Sequence, residues 1–224
     1  MESCWTNKAQ TRREARKEDR RAAIITVAQA SFLEQGYAGT SMSAIAATLG
    51  GSKGTLWSYF PSKEALFSAV LESATAEYRE RLKVLLHPGD DLRATVERFC
   101  RGFLEKVTSP EALALHRVIQ AEGARFPELG PIFFERAPMM TLRLLSGFLE
   151  EHMARGGLRA DDPLLAARAL VSLCIGGHHQ RMMWRVETRD PAKIEADACF
   201  AADIFLRAYA PAKEDPKGGD AGAS

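Results

Sequence analysis

Apolar residues recur every three to four positions along almost the whole chain, and the alternation that a half-buried strand needs is almost absent. Such a chain has helices as its only regular element, and each must bury one stripe against another helix. The predicted fold class is therefore all-α. Ile24, Val27, Ala28, Ser31 and Phe32 form the stripe of a first helix over about 17–35, with Gly36 as a left-handed cap. Thr40 and Ser41 are N-cap types for a short second helix whose inner face is Met42, Ile45, Ala46 and Leu49. Gly50 and Gly51 break it. A third short helix covers about 53–59, with Leu56 and Phe60 inward. A long fourth helix covers about 62–85 on the stripe Leu66, Phe67, Val70, Leu71, Ala74, Tyr78 and Leu82, and stops at His87, Pro88, Gly89 and Asp90.

Five further stretches predict helices over about 91–107, 110–124, 128–156 (bent or split near Pro138), 163–185 and 191–209. Pro110, Pro127, Pro163 and Pro191 stand where first-turn prolines are tolerated. Gly176 and Gly177 fall inside the fourth of these stretches, at about 1 kcal/mol each relative to Ala, a cost that close approach of another helix would offset. Residues 211–224 hold no large apolar side chain and are expected to be a disordered tail.

The length of 224 residues suits one large domain or two modest ones. Charge is unevenly placed. Residues 1–63 carry nine Lys/Arg and five Asp/Glu, a net of +4; the other 161 carry 21 and 24, a net of −3. A small basic module on a near-neutral body favours a polyanionic partner. No apolar run approaches the roughly 18 residues of a membrane span, and no apolar core follows the basic N-terminus, so the chain is expected to stay in the cytoplasm without a membrane partner. Cys4, Cys100, Cys174 and Cys199 make no CxxC pair, which excludes a zinc ribbon. They read as plain thiols, with a redox sensor built on Cys174 and Cys199 as the alternative. Gly-x-Ser-x-Gly, P-loop and Gly-x-Gly-x-x-Gly signatures are absent and no nucleophile–base set stands out, so no enzyme, cofactor or metal is expected. Adjacent His178 and His179 point about 100° apart on a helix and cannot easily chelate one ion.

Two short helices joined by a Gly-containing turn in a basic end predict a helix-turn-helix. A helix that enters a groove needs a small, polar outer face, and Ser52, Lys53, Thr55, Ser58 and Tyr59 supply it. Lys53 can bond a guanine edge or a phosphate. Thr40, Ser41, Tyr59 and Lys63 are placed to hold phosphates and fix register. The run Arg12, Arg13, Arg16 and Lys17 is either an arm for an adjacent groove or a solvated end.

The string GYAGTSMSAIAATLGGSKGTLWSYFPSKEALFSAV, from Gly36 to Val70, resembles the N-terminal domain of the TetR family of transcriptional regulators. The family pattern is a Gly-aromatic pair, a Thr-rich cap, Ile-Ala, Leu-Gly, a Ser-Lys-Gly-Thr-Leu block and Lys-Glu-Ala-Leu. The match spans about 18–75. It implies phosphate contacts at Thr40 and Ser41, base edges under Lys53, Gly54 and Thr55, and phosphate clamps at Tyr59 and Lys63. Three positions depart from the pattern. Trp57 stands where Tyr is usual, Gly51 where a small apolar residue is usual, and Ser43 where relatives often carry Arg, which shifts base reading toward the third helix.

The resemblance further implies an arrangement of parts: an N-terminal arm (1–16), a helix-turn-helix domain (17–63), a helical ligand-binding and dimerisation domain (64–210) and a tail (211–224). The last two long helices would form a homodimer interface. Phe103, His116, Gln120, Phe126, Phe134, Met140, Phe148, His178 and Met182 are candidate ligand contacts in a mainly apolar cavity. A stretch from Ala121 to Pro138 resembles a subgroup seen in regulators near efflux systems. The expected function is a homodimeric repressor that binds a palindromic operator on double-stranded DNA and is released by a small hydrophobic or amphipathic inducer. A constitutive or partner-controlled DNA binder, or an activator, is the alternative.

Overall fold

In the computed structural model the described residues are 3–50, 53–87, 89 and 91–211. They form eleven helices: α1 Ser3–Gly39, α2 Met42–Thr48, α3 Lys53–Tyr59, α4 Lys63–Leu85, α5 Leu92–Val107, α6 Pro110–Glu122, α7 Leu129–Arg136, α8 Pro138–Ala154, α9 Pro163–Ile175, α10 His178–Met183 and α11 Pro191–Ala208. No strand occurs among the described residues, and none of their helices is long and apolar enough to cross a membrane. The stretch expected as a tail lies outside them from 212 on.

Helix starts follow the residue chemistry. Asp91, Ser109, Asp162 and Asp190 each accept a backbone N–H of the first turn, and proline follows directly in three of the four cases. Pro127 lies one residue further out, before the Glu128 cap of α7. The split near Pro138 is present: Ala137 leaves helical geometry (φ −123, ψ −75) between α7 and α8.

The chain divides into two compact units, Met1–Glu80 with Ser109–Met140, and Arg81–Thr108 with Thr141–Ser224. In the first, α1 starts well before residue 17 and takes in the basic run read as an arm or a solvated end. That stretch has no apolar stripe; just after it, the exposed Glu18–Arg21 pair at i,i+3 supports α1. At Gly36 the helix kinks (φ 73, ψ 178) rather than ends, and resumes to Gly39. Phe32, Tyr37, Phe67 and Phe126 form an aromatic centre around which Ile24, Ile45, Leu56, Leu66, Val70, Leu115 and Leu129 are buried. Helices α6 and α7 are thus part of this core. Polar links fix them: Gln29 to Glu111, Arg136 Nε donating to Ser68 Oγ at 3.0 Å, and an Arg136–Glu72 ion pair.

In the second unit α5 packs on α9 and α11, and α9 on α11. Ala166, Ala167, Ala198, Ala201 and Ala202 let the helices approach closely around Phe99, Leu104, Leu170 and Phe205. Arg101 grips Glu195 with two hydrogen bonds. Cys174 is buried and shares a hydrogen bond with buried Cys100, not with Cys199, which is exposed beside Glu195. Hydrogen bonding to Cys100 and burial push the Cys174 thiol far up, away from the reactive thiolate.

The helix expected over 163–185 is broken at Gly176 and Gly177. The cause is Asp197 on α11: its carboxylate accepts the His178 N–H and occupies the space a Cβ on Gly177 would need. The close approach foreseen for these glycines is present at Gly177, from the chain's own α11; at Gly176 a Cβ would meet only the Ser172 carbonyl. Past the break, His178 is fully buried; its Nδ1 lies 2.6 Å from Glu187 Oε2 and its Nε2 accepts the Asp190 N–H at 3.2 Å. Glu187 also meets Lys193 at 2.9 Å and Arg181 at 3.1 Å. The bonds from Lys193 and then His178 hold its carboxyl at about 2, below its ordinary 4.5. A depressed carboxyl stabilises the fold above its unfolded value and loses that contribution as pH falls through the folded one. The melting-temperature gap between wild type and Glu187→Gln should therefore be constant above about pH 5 and close between about pH 4.5 and 2. A gap that persists to the acid end would show that Glu187 acts by packing rather than by charge.

Candidate nucleic-acid interface

Helices α2 and α3 owe their position to their inner faces. Met42, Ile45 and Ala46 on α2, and Leu56 with Phe60 at the end of α3, are buried in the aromatic-centred core. Ser41 caps α2, its Oγ accepting the Ala44 N–H at 3.1 Å. Gly50 takes a positive φ of 63 in the turn between the two helices, where a side chain would be strained.

The opposite face is open. Ser41, Ser43, Gly54, Thr55, Trp57 and Ser58 are exposed and Tyr59 is half-buried. Trp57 leaves 48% of its surface uncovered, unusual for so large an apolar ring without a partner. Ser58 Oγ turns back to the Thr55 carbonyl at 2.7 Å. Gly51 and Ser52, and the Lys53 side chain, lie outside the described residues; Lys53 is placed by its backbone as the first residue of α3.

Two of the residues expected to contact phosphate, Thr40 and Lys63, also have protein partners. Thr40 is only 2% exposed, and its hydroxyl donates to the Gly36 carbonyl at 2.8 Å. Lys63 places its ammonium 4.2 Å from the centre of the Tyr37 ring and 6.0 Å from that of Phe126. Burial lowers its pKa, against the pull of Glu122, Glu64 and Glu128. Ser62 caps α4 through the Ala65 N–H and is the first cause of a lowered Glu64 carboxyl. Arg20 and Arg21, counted with the basic end, face α2 and α3: Arg20 donates to the Leu49 carbonyl at 3.2 Å, at the end of α2, and Arg21 lies over the Phe60 ring. Neither contact has a periodic signature.

The candidate ligand residues fall in both units. In the first, Phe126 packs on Tyr37, His116 lies against Phe133, and Gln120 and Phe134 are exposed, with Met140 half-buried. Burial lowers the His116 pKa. In the second, Phe103 and Met182 are buried, Phe148 packs on His152, and His178 has both ring nitrogens engaged by Glu187 and Asp190.

Two short helices crossing with one apolar and one polar face match what a groove-reading head requires, and comparison with known proteins agrees along the chain. A family model described as "Bacterial regulatory proteins, tetR family" matches residues 24–70, and one described as "AefR-like transcriptional repressor, C-terminal domain" matches residues 94–211. The HTH-type transcriptional repressor NemR of Escherichia coli is 27% identical over 173 residues, 75% of this chain and 86% of that protein. A solved TetR-family regulator from Mesorhizobium loti superposes with a TM-score of 0.76 at 28% identity, over 87% of this chain and 98% of that one. The flavonoid-responsive regulator FrrA superposes with a TM-score of 0.73 at 34% identity, over 87% and 98%. With both parts of the chain matched, and with relatives that are regulators rather than enzymes, the chain belongs to the TetR family of DNA-binding transcriptional regulators.

Proposed function

We propose that the protein is a homodimeric repressor that binds a palindromic operator and is released by a small hydrophobic or amphipathic inducer. The observation that carries the reading is the exposed polar face of α3, with Thr55 and Ser58 beside Gly54, where backbone can approach a base edge closely. Ser41, Ser43, Trp57 and Tyr59 flank that face and are assigned to backbone contacts, with Ser52, Lys53 and Lys63 completing the set. Dimerisation is assigned to α9 and α11, which expose Leu164, Leu165 and Phe200. Residues 17–63 are the reading head, and 64–210 carry ligand binding and dimerisation. Phe103, Phe148 and Met182 supply apolar contacts for the inducer in the second unit. The flavonoid response in the name of FrrA supports a planar aromatic inducer.

Selection from a random DNA pool with purified protein, at near-physiological salt, tests the reading. A recovered palindrome with half-sites about one helical turn apart is expected; recovery of no motif by a folded dimer would sink it. On that operator, Lys53→Ala should cost about 1–3 kcal/mol and relax preference at one symmetric base pair. An unchanged selected motif would remove Lys53 from base reading. Affinity that no compound in a diverse aromatic panel alters would replace the inducible repressor with a constitutive binder.

A further inference from the structure

Glu122 is the last residue of α6. A carboxylate there faces the negative end of the helix dipole, the wrong end by local rules. Its two oxygens nevertheless each take one backbone N–H from the corner after the α1 kink, Oε1 from Tyr37 at 2.7 Å and Oε2 from Ala38 at 2.5 Å. These partners lie 85 and 84 residues away in sequence. The two N–H groups need an outside acceptor because Gly36 interrupts the helical ladder just before them. The other side of the corner closes on itself, through the Thr40 hydroxyl on the Gly36 carbonyl. A side chain at Gly36 would be strained by its φ of 73, and its Cβ would push Glu122 Oε1 off the corner. The Lys63 ammonium, over the Tyr37 ring, also feels the Glu122 charge. Ser41, the cap of α2, follows this corner directly, so the corner sets the direction in which α2 leaves α1.

We propose that Glu122 is a positioning residue for DNA binding: by holding the Tyr37 and Ala38 N–H groups, it fixes the angle at which α2 and α3 are presented and ties that angle to the end of α6. The inference rests on the DNA-reading role of α2 and α3. It names a residue outside the helix-turn-helix as part of the reading machinery, and it gives the two N–H bonds a purpose that stability alone does not require.

The test uses the full chain and the operator recovered by selection. Glu122→Gln keeps the shape and one acceptor oxygen but turns an NH2 group toward the second N–H. Three results are expected together: faster amide exchange at Tyr37 and Ala38, an operator affinity lowered about tenfold, the scale of one charge-assisted hydrogen bond, and a smaller affinity loss in a control of equal melting temperature. The control is Leu115→Val, which trims a buried α6 side chain and leaves the carboxylate in place. Glu122→Asp, a methylene short of the corner, should fall between wild type and Glu122→Gln, and it carries the comparison if Glu122→Gln does not fold. Wild-type affinity alongside exposed Tyr37 and Ala38 amides overturns the proposal. Equal affinity losses in Glu122→Gln and Leu115→Val also overturn it, because the effect is then stability alone. A folded wild type that selects no DNA overturns the reading beneath it, and is distinguishable because no variant is involved.

Discussion

Phe67→Ala is expected to lower the stability of the first compact unit by about 3–5 kcal/mol and to abolish operator binding at working temperature. Phe67 is fully buried on α4, and its ring meets Phe32 edge-on at 5.1 Å and Tyr37 edge-on at 5.4 Å. Tyr37 in turn packs edge-on against Phe126 at 5.1 Å. Such pairs add about 0.5–1.5 kcal/mol each beyond the area they bury. The site cannot collapse easily after truncation, because its ring partners Phe32 and Tyr37 are held by other contacts, Tyr37 by Phe126. A domain with about 5–15 kcal/mol in hand loses a large share of it. Urea unfolding followed by helical circular dichroism should show an earlier transition for this unit, with a second transition for the other unit near its wild-type midpoint. A midpoint that does not move would mean that the aromatic centre relaxes around the cavity, and that its rings matter for shape rather than stability.

Much of this unit was legible in the sequence because its signals are local. The inner faces of α2 and α3 follow from a 3.6-residue period, and Pro110 marked the start of α6, as Pro163 and Pro191 marked those of α9 and α11 in the other unit. Gly36 was legible as a positive-φ glycine; that the helix resumes after it was not, since the N–H groups there are held by Glu122, 85 and 84 residues away. Polar links across tens of residues, such as Arg136 to Ser68 and Glu72, have no period and cannot be read from spacing. The same holds for Gly177, whose reason for being glycine is Asp197 on another helix. The proposed DNA contacts were chosen by motif and outer-face polarity. Motif matching does not report internal partners, so it assigned Thr40 and Lys63 to phosphate without showing the Gly36 carbonyl and the Tyr37 ring that they meet. The ligand residues were chosen by type alone, and side-chain type does not separate a cavity wall from a committed core group such as His178.

Phe200→Glu should convert the proposed dimer into folded monomers and remove operator binding with it. Phe200 is 59% exposed on α11, and Leu165 50% exposed on α9. Their neighbours Ala166, Ala167, Ala198, Ala201 and Ala202 turn the other way, into the α5–α9–α11 core, so the exposed set is left over after the chain has satisfied its own packing. Burying a Phe side chain is worth about 1.5–3 kcal/mol, and in a two-fold dimer each substitution acts twice. The loss is then about 3–6 kcal/mol per dimer, roughly two to four powers of ten in the dissociation constant, before the cost of an unpaired buried carboxylate. An operator with two half-sites needs both reading heads in fixed register, so a monomer retains only the weak, salt-sensitive binding of one head. Because Phe200 is exposed in the single chain, helical content and unfolding of the monomer should match wild type. Sedimentation velocity at micromolar concentration separates the outcomes. A monomer peak with unchanged circular dichroism is the expected result. An intact dimer would move the interface off this face of α11, and the exposed Trp184 and Val186 beyond α10 would then be the next apolar residues to substitute.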